Sequence, residues 1–96
     1  MTSKQRAYLR GLANTLQPIL QVGKAGISDN LVKQIDDALE ARELIKISVL
    51  ETAPDDVKNL GEEIARATNS ICVQTIGNKI TLYRAKKKDA KIVLPE

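Results

Sequence analysis

The chain has 96 residues, enough for one small domain with a single core and little material for a deep catalytic cleft. It contains no histidine and one cysteine, which removes the common Ser-His-Asp and Cys-His constellations and argues against a zinc site. The net charge of +3 is unevenly distributed: residues 1–28 hold Lys4, Arg6, Arg10 and Lys24 without an acid, residues 29–63 hold ten acids against four bases, and residues 64–88 hold six bases without an acid.

In chain order, Thr2 or Ser3 with Gln5 has the spacing of a capping box. Leu9, Leu12, Ala13 and Leu16 follow at helical spacing, with Tyr8 near the same stripe, and Pro18 stops the helix before Gln17. Ile19 to Val22 is a short strand candidate. After the glycine-containing stretch 23–26, Ser28 is a plausible N-cap for a second helix. Leu31, Ile35, Ala38, Leu39 and Arg42 follow along one stripe at helical spacing, with Asp36, Asp37, Glu40 and Glu43 on the outer face. "LIKISVL" alternates, with Ile45, Ile47 and Val49 on one face and Lys46 and Ser48 on the other, as a half-buried strand does. Pro54, Asp55 and Asp56 suit the start of a third helix with Val57, Leu60, Ile64 and Ala67 inside. "ICVQTI" and "KITLYR" are two strands joined at Gly77-Asn78, a hairpin signal. The expected fold is a single α/β domain in the order α-β-α-β-α-β-β, with a core over about residues 3–85. Its mixed four-stranded sheet carries three helices. Residues 86–96 form a basic, then apolar, tail that either docks on the domain or extends a strand.

Gly23-Lys24-Ala25-Gly26 allows two readings. It is a tight turn between strand and helix, or a phosphate site. The second rests on exposed backbone N–H groups, the positive end of the following helix and the charge of Lys24. Asp29, in the first helical turn, would compete with a phosphate there, and Ser28 would use one amide as a cap. The paired acids Asp36-Asp37, Asp55-Asp56 and Glu62-Glu63 diverge on helices and do not converge on a substrate, so no enzyme activity, cofactor or metal is expected. With only Tyr8 and Tyr83 as aromatics, a base-stacking sheet is excluded and nucleic-acid binding would rest on phosphates and shape. If the fold joins the two basic blocks they make one electropositive face; otherwise they are two solvated stretches. The lone Cys72 suits a reducing compartment, and the N-terminus has no signal-peptide pattern, so a cytoplasmic location is expected.

Four segments in this order and spacing, "KQRAYLRGLAN", "PILQVGKAGIS", "ALEARELIKISVL" and "IGNKITLYR", closely resemble the bacterial YhbY-like, stand-alone CRM-domain proteins, from about Lys4 to Arg84. CRM stands for chloroplast RNA splicing and ribosome maturation. The resemblance implies a fold like the C-terminal domain of translation initiation factor three. It also implies RNA binding, association with ribosomal RNA in precursors of the large ribosomal subunit, and a part in their maturation. Its GxxG loop maps to Gly23, Lys24, Ala25 and Gly26. Lys4, Arg6, Arg10 and Arg84, with Lys86, Lys87 and Lys88 behind them, are the expected basic surface. A monomer, with no membrane and no small-molecule substrate, is the expected state. Two rival readings are an Alba-like coat protein on duplex DNA or RNA and a protein-docking module whose acidic helices contact an assembly factor.

Overall fold

The structure, a computed structural model, describes residues 1–96. Its elements are α1 (Ser3–Ala13), β1 (Leu20–Val22), α2 (Asp29–Arg42), β2 (Leu44–Val49), α3 (Val57–Thr68), β3 (Ile71–Ile76) and β4 (Lys79–Tyr83). This is the expected order. The four strands form one mixed sheet in the order β1-β2-β4-β3, with β1 parallel to β2 and β4 antiparallel to both its neighbours. The β3–β4 hairpin therefore folds its second strand back into the centre of the sheet. A positive φ at Gly77 and none at Asn78 give the turn a II′ character, matched to the twist of the flanking strands.

Two layers cover the sheet. On one face, α2 and α3 lay Leu31, Ile35, Leu39, Leu60 and Ile64 against Ile45, Ile47, Val49, Ile80 and Leu82. This is the main core, and the period-2 reading of β2 places its residues correctly. On the other face, α1 buries Leu9 and Ala13 against Leu44, Val73 and Tyr83. This contact is a single line of side chains one turn apart, so Leu12 and Tyr8, expected inside, remain exposed. The tail docks here rather than extending a strand, since Ile92 and Leu94 pack on the same cluster.

Several boundaries move for local reasons. The first helix ends at Ala13, with Asn14 as its C-cap, well before Pro18; its capping box at Thr2 and Gln5 is present. Asp56, not Pro54, begins α3: its carboxylate accepts the amide N–H of Asn59 at 2.8 Å. Pro54 instead lies in the preceding loop, against Gly26. Thr68 replaces Ala67 on the buried face of α3. Glu43, expected outside, is 1% exposed. It caps α2 with φ 67°, so its side chain leaves the helical period and turns inward. There one carboxylate oxygen accepts the backbone N–H groups of Lys91 and Ile92, at 2.5 and 3.3 Å, tying the tail to the domain.

Candidate functional site

Because β1 and β2 are parallel, the segments that follow them leave from the same end of the sheet. The turn after β1 closes with the Gly26 N–H donating to the Gly23 carbonyl at 2.9 Å. Lys24 and Ala25 occupy its two central positions without positive φ, which fits a type I turn; Gly26 follows at φ +67°. A Cβ at Gly26 would lie 2.9 Å from Pro54, whereas one at Gly23 would make an ordinary 3.5 Å contact with Leu50. Glycine is therefore demanded at Gly26 by the fold, independently of any ligand. The backbone N–H groups of Lys24, Ala25, Ile27 and Ser28 meet no acceptor within the chain.

Ser28 caps α2 by accepting the Leu31 N–H at 3.1 Å, as anticipated. Asp29 bonds none of the turn's amides; it lines the groove between α2 and α3. The supporting loop, however, carries Glu51 and the helix-capping Asp56. The positive character of the turn thus comes from Lys24 and the free amides, not from its surroundings as a whole.

The structure separates the expected basic residues. Lys4 and Arg10 are exposed on α1. Arg6 is half-buried, and its guanidinium donates to the carbonyls of Cys72 and Val73 at 2.9 and 2.7 Å. The register of β3 shifts between Cys72 and Gln74, and a bulge leaves carbonyls without ladder partners. Arg6 satisfies them. Arg84 follows Tyr83, which pairs with Leu44 at the start of β2, whereas the glycine turn lies beyond the far end of that strand. The six residues of β2 put the two roughly 17 Å apart.

The Arg84 side chain is only 20% exposed. It is ion-paired with Asp36 and Glu40 of α2 and donates to the Thr68 carbonyl at the end of α3, at 2.7 Å. Both guanidinium groups thus hold elements together, which leaves less of their charge free than that of Lys4 and Arg10.

What the fold does bring together is the first basic block and the strands of the third. Helix α1 lies on the sheet face opposite α2 and α3, against Val73 and Tyr83. Beside it, part of that face stays open. Lys46 pairs with Thr81, and Ser48 with Lys79, so both lysines point to the α1 side. They line a hollow of about 150 Å³ with Asn14, Gln74, Ile76 and Thr81. Neither lysine was singled out from the sequence. The alternation of β2 placed Lys46 off the core, but only the pairing with β4 shows that Lys79 joins it.

Among other groups, Cys72 is half-buried; burial raises its thiol above the ordinary value, with Arg6 opposing and Glu62 adding to the shift. Tyr83 is likewise raised, by burial first and by the charge of Glu43 second. No three His, Cys, Asp or Glu side chains are grouped to hold a metal ion, and no helix is long and apolar enough to cross a membrane.

Known proteins agree with this architecture over nearly its whole length. The solution structure of SAV1595 from Staphylococcus aureus superposes with a TM-score of 0.83 at 52% identity, covering 99% of both chains. The Bacillus subtilis protein named probable RNA-binding protein YqeI is 50% identical over 95 residues, 99% of each chain. A Haemophilus influenzae protein named RNA-binding protein is 36% identical over 99% of this chain and 95% of its own. The CRS1/YhbY (CRM) domain matches residues 1–84, from the capping box of α1 to the arginine that locks β4 to α2 and α3. With the basic α1, the glycine turn and the mixed sheet all inside that span, the chain belongs to the CRS1/YhbY (CRM) domain family.

Proposed function

We propose that this protein is not an enzyme but an RNA-binding protein that acts in the cytoplasm on ribosomal RNA within precursors of the large ribosomal subunit. One observation carries the reading. The charged residues of α1 and all four strands are Lys4, Arg6, Arg10, Lys46 and Lys79, without one acid, while α2 and α3 carry six acids against four bases. The α1 face attracts a polyanion and the opposite face repels one. Lys24 and the unpartnered amides of its turn add a point that can grip a phosphate. The names of the relatives, RNA-binding proteins from bacteria, support RNA over duplex DNA. Lys24, Lys4 and Arg10 are the proposed contacts, with Gly23, Ala25 and Gly26 shaping the turn.

A docking role on an assembly or ribosomal protein is favoured by a separate feature, the groove of about 670 Å³ between α2 and α3, where Asp29, Asp36, Asp37 and Glu40 outnumber Lys33, Arg84 and Lys87. Crosslinking in cells followed by sequencing of the bound RNA, with Lys24→Glu alongside wild type, tests the choice. Crosslinks concentrated on large-subunit RNA, and lost in a folded Lys24→Glu, are the expected result. Precursor association unchanged in that variant would favour protein docking, and even coverage of messenger RNA would defeat the assembly role.

A further inference from the structure

Helix α1 covers only part of the sheet face on which it lies. Leu44, Val73 and Tyr83 are buried beneath it, whereas nearer the hairpin only Thr81 is buried and Lys46, Ser48, Gln74 and Lys79 are half-buried. Ile76 there is 64% exposed. A lysine in β2, the strand between β1 and β4, is unfavourable to β-structure and would be costly if its ammonium were enclosed. Here Lys46 and Lys79, both half-buried, line a shallow hollow beside Asn14. Neither has an ionic partner: Lys46 makes no ion pair, and the Lys79 ammonium donates only to the neutral Asn78 side chain at 2.7 Å. The hollow has no acidic lining residue. Two uncompensated cations diagonal to one another across a concave surface focus positive potential into it.

We propose that this open part of the sheet is a second RNA contact, in which Lys46 and Lys79 neutralise phosphates of structured RNA and the amide side chains of Asn14 and Gln74 hydrogen-bond its ribose hydroxyls. The inference rests on the RNA-binding reading and extends it to residues outside the glycine turn. The chemistry selects the occupant. No aromatic side chain lines the hollow, so bases cannot stack there as they do on other RNA-binding sheets. Lysines flanked by neutral donors and acceptors instead match a sugar–phosphate backbone, whose 2′-hydroxyl both donates and accepts. The hairpin that begins at Ile76 and ends at Lys79 meets the end of β2, where Asn78 accepts the Val49 N–H at 2.7 Å. The glycine turn leaves the sheet at that same end, since Leu50 donates to the Val22 carbonyl at 2.8 Å. The glycine turn with Lys24 and the hairpin with Lys79 therefore lie at the same end of the sheet.

The test compares wild type, Lys46→Gln/Lys79→Gln, Lys46→Arg/Lys79→Arg and Lys24→Glu for binding a short RNA duplex over a range of salt. The glutamine double variant should melt as wild type does, bind several-fold more weakly at low salt, and lose about 1.4–1.8 from the slope of log K against log salt, the value for two phosphates. The arginine variant should keep the slope. In wild type, adding the duplex should shift the backbone amide resonances of Ser48, Gln74 and Thr81. A folded glutamine variant with unchanged affinity and slope, or absence of those resonance shifts, overturns the sheet contact. Displacement of the duplex by polyglutamate as readily as by competing RNA overturns its assignment to RNA. Should Lys24→Glu lose binding while the glutamine variant does not, the RNA reading stands without this contact. If wild type binds no RNA, the RNA reading itself fails.

Discussion

Gly23 and Gly26 look equivalent in the sequence and are not equivalent in the protein. Gly26 combines φ +67° with a Pro54 atom 2.9 Å from where a Cβ would sit; Gly23 has neither constraint. Gly26→Ala should destabilise the fold by about 2–3 kcal/mol, from left-handed strain plus the displacement of Pro54. Gly23→Ala should change stability by less than about 1 kcal/mol, since its new methyl meets Leu50 at ordinary contact distance. Denaturant unfolding of the two variants checks the contrast, and equal losses would contradict it. For the proposed grip on phosphate, the informative glycine is then Gly23, because its substitution leaves the turn intact. Glu43 teaches a similar lesson: a charge that helical spacing assigns to solvent is turned inward by one positive φ at a helix end.

At the scale of elements, the arginines act as ties. Arg84 leaves the end of β4 and reaches α2 through Asp36 and Glu40 and α3 through the Thr68 carbonyl, where its charge also suits the negative end of the helix. The acids are half-exposed, so their Coulombic share is screened, and most of the effect belongs to the sheltered carbonyl contact. Arg84→Ala should lower stability by about 1–2 kcal/mol with no direct loss of a phosphate contact. Arg10→Ala, on the exposed side of α1, should leave stability within about 0.5 kcal/mol and weaken RNA binding. Thermal melts paired with duplex-RNA titrations separate the two. Loss of affinity in Arg84→Ala beyond that explained by unfolding would return Arg84 to the binding surface. The tail belongs to this scale as well: Ile92 and Leu94 pack on the α1 cluster while the Lys91 and Ile92 amides donate to one Glu43 oxygen, which ties residues 91–94 to the domain.

Across the whole molecule, the charge is sorted by layer, with bases alone in α1 and the strands and an acidic excess in α2 and α3. A small net charge of +3 can thus coexist with a strongly oriented field. The acidic layer should limit indiscriminate binding. Replacing the exposed Asp37 and Glu63 together, as Asp37→Asn/Glu63→Gln, should raise affinity for duplex DNA a few-fold at low salt and leave it unchanged at high salt, where the field is screened. Filter binding at two salt concentrations measures this. An unchanged affinity for DNA at low salt would deny the layer that role.

Much of this was legible in the sequence because it is local. Periodicity in β2, the Ser28 cap, the capping box at Thr2 and Gln5 and the Gly77-Asn78 turn depend on neighbours within a few residues, and each is found in the structure. The glycine turn was legible as a turn for the same reason. Tertiary structure alone decided which cations are free. Arg6, Arg10 and Arg84 read alike in sequence, yet one answers a bulge in β3, one faces solvent and one joins α2 to α3. The pairing of β2 with β4 set Lys46 and Lys79 diagonal to one another on one sheet face from distant parts of the chain. A charged side chain's availability is fixed by the carbonyls and carboxylates that long-range packing brings to it, and nothing in its immediate sequence records them.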